Sequence, residues 1–177
     1  MITSLNLLFQ SIPSNKFYPP RINQSHSIQR HTLITRHLAD ALPSRLFIVI
    51  EAQAGQGKTT LVQQFLEHSL FPSIWYQVGP EDNDPLLLLL ALRHALSRVF
   101  PRLSSAGLNA LLENRRFNAE QLQQCVNILL HDVDALVEKD TFIVFDDLHL
   151  LSETQQGRDV LDYLIDTAPP RLHFILT

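Results

Sequence analysis

The sequence predicts an α/β domain with a parallel sheet and helices on both faces. Three observations lead there. Runs of strand length alternate with segments of helical periodicity along the chain. The strand-like runs are solidly apolar rather than alternating, as strands buried on both faces are. The first of them runs straight into a glycine-containing turn that opens a helix. With 177 residues, 45% apolar, the chain is long enough for one substantial core and too apolar for wholesale disorder.

Residues 1–27 read as an irregular entry segment, because Pro13, Pro19 and Pro20 remove backbone donors and fix φ. Residues 28–177 form the domain proper. Residues 29–42 predict a helix with Leu33, Ile34, Leu38 and Leu42 on one face, stopped by Pro43. Residues 46–50 predict the first strand. The turn at 54–57 follows, and Leu61, Val62, Phe65, Leu66 and Leu70 then mark a helix over 58–70. Residues 73–78 predict a second strand, broken by Gly79-Pro80.

Asp84 before Pro85 is an N-cap with proline at the first helical position, starting a helix to about residue 99 with a broad apolar face. A shorter helix is expected over 104–113. Asn118-Ala-Glu-Gln121 is a capping-box pattern for a helix to about residue 138. A third strand spans 141–145 and ends on Asp146-Asp147. Ser152-Glu-Thr-Gln155 is another capping-box pattern, for a helix with Val160, Leu161, Leu164 and Ile165 on its face. The last strand is 172–176. Because open α/β sheets carry their chemistry just beyond the carboxyl ends of strands, the chain is expected to be part of a longer polypeptide, truncated before the last core strand.

Charge and cysteine content narrow the classes of function. Fourteen basic against 18 acidic residues, net −4, leave no basic footprint for nucleic acid. Only 18% of residues are charged, which suggests that a neighbour covers some surface. The one cysteine, Cys125, cannot form an internal disulfide and suits a reducing cytoplasm. No apolar run reaches the length of a membrane span, and residues 1–10 lack the features of a signal peptide. The eight histidines show no zinc spacing.

The strongest chemical signal is Ala52-Gln-Ala-Gly-Gln-Gly-Lys-Thr59, the phosphate-binding loop pattern with alanine at the first glycine position. Gly55 and Gly57 let the backbone turn its N–H groups inward around phosphate oxygens. The positive end of the following helix adds to that field. Ala54, Gly55, Gln56, Gly57, Lys58, Thr59 and Thr60 are the expected nucleotide-binding residues. Lys58 would reach the β- and γ-phosphates, and the Thr59 hydroxyl would ligate Mg²⁺. The second signal is Phe142-Ile-Val-Phe-Asp-Asp147. In phosphate-loop ATPases such a strand is expected next to the loop strand, its first acid (Asp146) holding the Mg²⁺ shell and its second (Asp147) polarising the attacking water. The elements between loop and acid pair fit the additional-strand (ASCE) type of P-loop NTPase.

Together these residues resemble the STAND class of signal-transduction ATPases. Within it, they are similar to the nucleotide-binding domain of MalT-like, LuxR-type bacterial transcriptional regulators. Lys16-Phe-Tyr-Pro-Pro-Arg21, Arg30 with Leu33, the loop at 52–60, Trp75 with Asp82-Asn-Asp-Pro85, Asp146-Asp-Leu-His-Leu150 and residues 168–177 carry the resemblance. Leu148 departs from it, standing where the family usually has tyrosine.

The resemblance implies a nucleotide switch that binds ATP or ADP with Mg²⁺ and hydrolyses ATP slowly. It implies further partners: sensor, winged-helix and repeat domains of a longer chain, self-association on activation, and DNA only through a domain not in this chain. It leaves Arg30 either beside the nucleotide or a solvated arginine at a helix start, and His149 either a phosphate-sensing group or a plain loop histidine. Two other readings are a P-loop small-molecule kinase and a nucleotide-bound interaction module without catalysis. Asp82 and Asp84 could be a metal pair, but capping explains Asp84 more simply; Trp75 and Cys125 read as core.

Overall fold

Four strands, β1 (Phe47–Val49), β2 (Ser73–Gln77), β3 (Thr141–Asp146) and β4 (Leu172–Leu176), pair in parallel in the order β1-β4-β3-β2. The structure is a computed structural model and describes residues 10, 12–21, 28, 30, 32, 34, 47–104, 106–112, 117–151 and 156–177. Parallel neighbours need crossovers, and helices supply them: α1 (Lys58–Ser69), α2 (Pro85–Val99), α3 (Ala106–Leu112), α4 (Ala119–Asp134) and α5 (Gln156–Thr167). The predicted elements and their order match, with ends differing by a few residues. The helix expected over 29–42 falls mostly on residues outside those described, as does the capping-box pattern at 152–155.

Side chains alternate across a strand, so the sheet has two apolar faces and two cores. Ile74, Tyr76, Ile143, Phe145, Leu172 and Phe174 meet α2, α3, α4 and α5 in the larger one. Trp75, Phe142, Val144 and Ile175 meet Leu61, Val62 and Phe65 of α1 in the smaller one. Helix α2 is buried nearly all round at its start, from Leu88 through Leu92. Its broad apolar face is therefore spent on two partners, the sheet and the outer helices.

The helix starts obey their local chemistry. The Asp84 side chain accepts from the Leu86 amide at 2.8 Å, with Pro85 at the first helical position. Asn118 and Gln121 exchange side-chain and backbone bonds at 2.8 and 3.0 Å, a complete capping box. Among the described residues, no helix is long and apolar enough to cross a membrane.

Two expectations need correction. Strand β1 is solidly apolar but not buried on both faces: Phe47 is 48% and Val49 50% exposed. It pairs with β4 on one side only among the described residues. The acid-bearing strand does not adjoin the loop strand either. Strand β4 lies between β1 and β3. Side-chain pattern cannot reveal this, because every strand of a two-sided parallel sheet reads alike.

Candidate functional site

The loop that follows β1 takes the backbone shape its glycines permit. Gly55 (φ 80°) and Gly57 (φ 79°) are both left-handed, a region that costs other residues about 1–2 kcal/mol. At Gly55 a Cβ would meet nothing within 4 Å, so there the requirement is conformational rather than steric. Ala54 and Gln56 are exposed, and the Gln56 N–H donates to the Gln53 carbonyl at 3.3 Å. Gly57 is the N-cap of α1, and no side chain caps it. The first-turn amides, Lys58, Thr59 and Thr60 among them, thus have neither intrahelical acceptors nor a capping oxygen. That leaves a cluster of donors at the positive end of a 12-residue helix. The Lys58 ammonium folds back to the Ala52 carbonyl at 3.0 Å, closing the loop on itself.

The acid pair sits beside this helix start. The Thr59 hydroxyl lies 3.2 and 3.1 Å from the two carboxylate oxygens of Asp146. Asp146 is the last residue of β3 and 2% exposed. The Thr177 hydroxyl, just past β4, donates to Asp146 as well and accepts from the Asp147 amide at 3.4 Å. The inserted strand β4 therefore contributes a polar group between loop and acid pair.

Asp147 departs from strand geometry. Its φ of 63° and ψ of 38° are left-handed, which aspartate tolerates better than most residues. A regular strand would send its side chain to the opposite face from Asp146. The kink brings its carboxylate within 3.4 Å of the Gln77 amide nitrogen at the tip of β2.

Arg30 is placed against the loop. Its guanidinium donates to the Gln56 carbonyl at 2.9 Å, and its backbone N–H donates to the Gln64 side chain at 3.2 Å. Gln64 is buried and also donates to the Ile28 carbonyl at 3.1 Å. Gln63 donates to the Pro20 carbonyl at 2.8 Å. Adjacent glutamines of α1 thus fasten Pro20 of the entry segment, and Ile28 and Arg30 just beyond it, along the helix that starts at the loop.

A second anchor lies at the tip of β2, where Lys16 and Phe17 of a 3-10 turn (Ser14–Phe17) insert into the fold. The Lys16 ammonium, 3% exposed, meets Glu81 at 2.7 Å and Asp82 at 2.5 Å. Asp82 also accepts from the Tyr76 hydroxyl at 2.6 Å and the Gly79 amide at 2.8 Å. Burial raises the Asp82 pKa, against the pull of Lys16 and its hydrogen-bond donors. Burial, then the Asp82 charge, holds the Tyr76 hydroxyl well above its ordinary value. Burial also pushes Glu81 upward, but its bonds to Lys16 and the backbone outweigh that and lower its pKa.

This network answers the metal-pair reading. Asp82 is an ion-pair partner and Asp84 a cap, and no cluster of metal ligands occurs among the described residues. His149 is exposed on a 3-10 turn (Leu148–Leu150). Trp75 and Cys125 are core, 5% and 0% exposed, and burial raises the Cys125 thiol pKa.

Motif chemistry singled out Lys58, Thr59, Asp146 and Asp147, and the family resemblance singled out Arg30; the fold gathers all five around one end of the sheet. Gln77, Thr177, Gln63 and Gln64 were not singled out. The only local hint for the first two is a polar residue at the carboxyl end of an apolar strand. A cavity of about 240 Å³ lies at the other end of the sheet, lined by Pro72, Phe100, Lys139 and Thr141 among others, and holds none of these residues. Searched against known protein families and curated proteins, the chain matches none of them.

The residues at the loop fit a polyphosphate with Mg²⁺. Uncapped helix amides that follow two left-handed glycines suit phosphate oxygens. The Thr59 hydroxyl and Asp146 carboxylate, 3.1 Å apart, are oxygen donors of the kind Mg²⁺ takes.

Proposed function

We propose that this chain is a P-loop NTPase domain of the additional-strand type that binds ATP or ADP with Mg²⁺ and hydrolyses ATP slowly. The observation that carries this reading is the contact between Thr59 and Asp146, at 3.1 and 3.2 Å, two residues past the double-glycine turn. Those residues are 87 positions apart in sequence, so the fold, not local order, joins loop and acid. The order β1-β4-β3-β2 supports the additional-strand assignment, since one strand is inserted between loop strand and acid strand.

In this reading the amides of residues 55–60 and the Lys58 ammonium bind the phosphates. Thr59 and Asp146 would hold the metal, which would supply charge neutralisation at the phosphates. Asp147 orients a water and takes up its proton as the water oxygen bonds to the γ-phosphorus and the bond to the ADP oxygen breaks. Arg30 supports the loop through the Gln56 carbonyl. Adenine rather than guanine rests on the resemblance to the STAND class and on the lack of an Asn-Lys-x-Asp motif in the sequence. The role as a nucleotide switch in a cytoplasmic, MalT-like transcriptional regulator rests on the resemblance alone.

The test is a pair of substitutions. Lys58→Ala is expected to abolish ATP binding in calorimetry. Asp147→Asn, which also tolerates the left-handed backbone, is expected to bind ATP like the parent and to hydrolyse it at least tenfold more slowly. A Lys58→Ala protein that binds ATP as tightly as the parent rejects the reading.

A further inference from the structure

The cavity at the far end of the sheet is framed by two helix ends. Phe100 is the C-cap of α2, Pro101 cannot extend that helix, and the Leu103 amide donates to the Phe100 carbonyl at 2.9 Å, fixing the turn that carries Arg102. Past the end of α4, the Leu136 and Val137 amides donate to the Val133 carbonyl at 2.8 and 2.9 Å, and Glu138 and Lys139 lead on to β3. Thr141, the first residue of β3 and 1% exposed, donates its hydroxyl proton to the Lys139 carbonyl at 3.0 Å. Hydrogen bonds thus pin both segments that bring charge to the cavity, which lowers the cost of ordering them around a ligand.

The lining is largely apolar, and its charge is lopsided. Pro72, Phe100 and Leu136 supply carbon, while Arg102 and Lys139 stand against one acid, Glu138. Among the described residues, none of these three charged groups has an ion-pair partner. Arg102 has no near neighbour of opposite charge in sequence either, since no acidic residue lies between Asp84 and Glu113. A guanidinium without a carboxylate is a ready fork for one. The volume, about 240 Å³, is below that of sites for drug-sized ligands and suits a body of one ring or a short branched chain.

We propose that this cavity binds a small organic acid, its carboxylate between Arg102 and Lys139 and its apolar body against Pro72, Phe100 and Leu136. The site is separate from the phosphate loop, because Thr141 begins the strand that Asp146 ends. Glu138 opposes the charge of such a ligand, and the two cations outweigh it.

Phenylacetate and 4-methylpentanoate, titrated into the full chain without nucleotide and followed in assigned ¹H–¹⁵N spectra, test the proposal. Both are expected to shift the amides of Arg102, Leu103, Lys139 and Thr141, with a Kd of about 1 mM or tighter. Arg102→Gln is expected to weaken binding about tenfold, the loss of one charge-assisted pair. Glu138→Gln is expected to tighten it about threefold. Both substitutions fall at exposed positions, so spectra unchanged elsewhere verify the fold. Neutral phenylacetamide is expected to bind about tenfold more weakly than phenylacetate. Phenylacetamide binding as tightly as phenylacetate, Arg102→Gln binding like the parent, or no shift at these amides up to roughly 20 mM acid overturns the proposal. The last is the outcome if the two cations serve only the negative ends of the helices. None of these outcomes bears on ATP binding, which Lys58→Ala tests separately.

Discussion

Lys16→Met isolates the energetics of the buried anchor between entry segment and sheet. The substitution keeps most of the aliphatic bulk and removes the ammonium. Its two partners respond differently. Glu81, with its side chain 35% exposed, turns to water at little cost. The Asp82 side chain is 1% exposed and has no such recourse. It keeps the Tyr76 hydroxyl and the Gly79 amide but loses its only countercharge among the described residues. Breaking one partner of a buried pair costs about 3–5 kcal/mol. The two remaining donors put this case at the lower end, about 3 kcal/mol at neutral pH.

Acid reduces that cost, because a protonated Asp82 needs no countercharge, and burial already raises its pKa. Urea unfolding followed by the fluorescence of Trp75, the single tryptophan and a core residue, measures the loss. Adding Asp82→Asn removes the stranded charge, so the double variant is expected to be about 1–2 kcal/mol more stable than Lys16→Met alone. A cost below about 1 kcal/mol for Lys16→Met, or a double variant less stable than the single one, refutes the account of the anchor.

Two further outcomes follow from the same geometry. Because the folded Tyr76 hydroxyl ionises well above its unfolded value of 10.0, it favours the folded state below that pH, and the gain disappears as pH rises from there toward the folded value. Tyr76→Phe is therefore expected to flatten the alkaline fall in unfolding free energy, and an unchanged fall counts against the burial argument. Leu129→Ala empties a fully buried position in the larger core and is expected to cost about 2–5 kcal/mol in urea unfolding; a loss under about 1 kcal/mol contradicts the packing described.

Strands β2, β3 and β4 were legible because fully buried strands read as uninterrupted apolar runs, and their ends coincide with the predicted ones to within a residue. The caps at Asp84 and Asn118 were legible because capping is decided within four residues. Strand order was not, since crossovers choose it and no side chain within a strand reports its neighbours. The half-exposed face of β1 was hidden for the same reason. The residues of the candidate site were legible one by one through the loop pattern and the paired acids. Their supports were not: Lys16 meets Asp82 across 66 positions, and Gln77 meets Asp147 across 70. Such pairs leave no periodicity behind. Asp82, two residues before the cap Asp84, could be read as half of a metal pair in sequence, and its partners Lys16, Tyr76 and Gly79 show it to be the centre of a buried ion-pair network.

The central claim is that the double-glycine turn receives a polyphosphate whose magnesium is shared by Thr59 and Asp146. Calorimetric titration of ADP into the parent and into Asp146→Asn, each with Mg²⁺ and with chelator, tests it most directly. The account predicts that Mg²⁺ tightens binding to the parent by about tenfold or more and that Asp146→Asn loses most of that gain while still binding metal-free ADP. Equal metal dependence in the two proteins, or no binding by the parent, contradicts it.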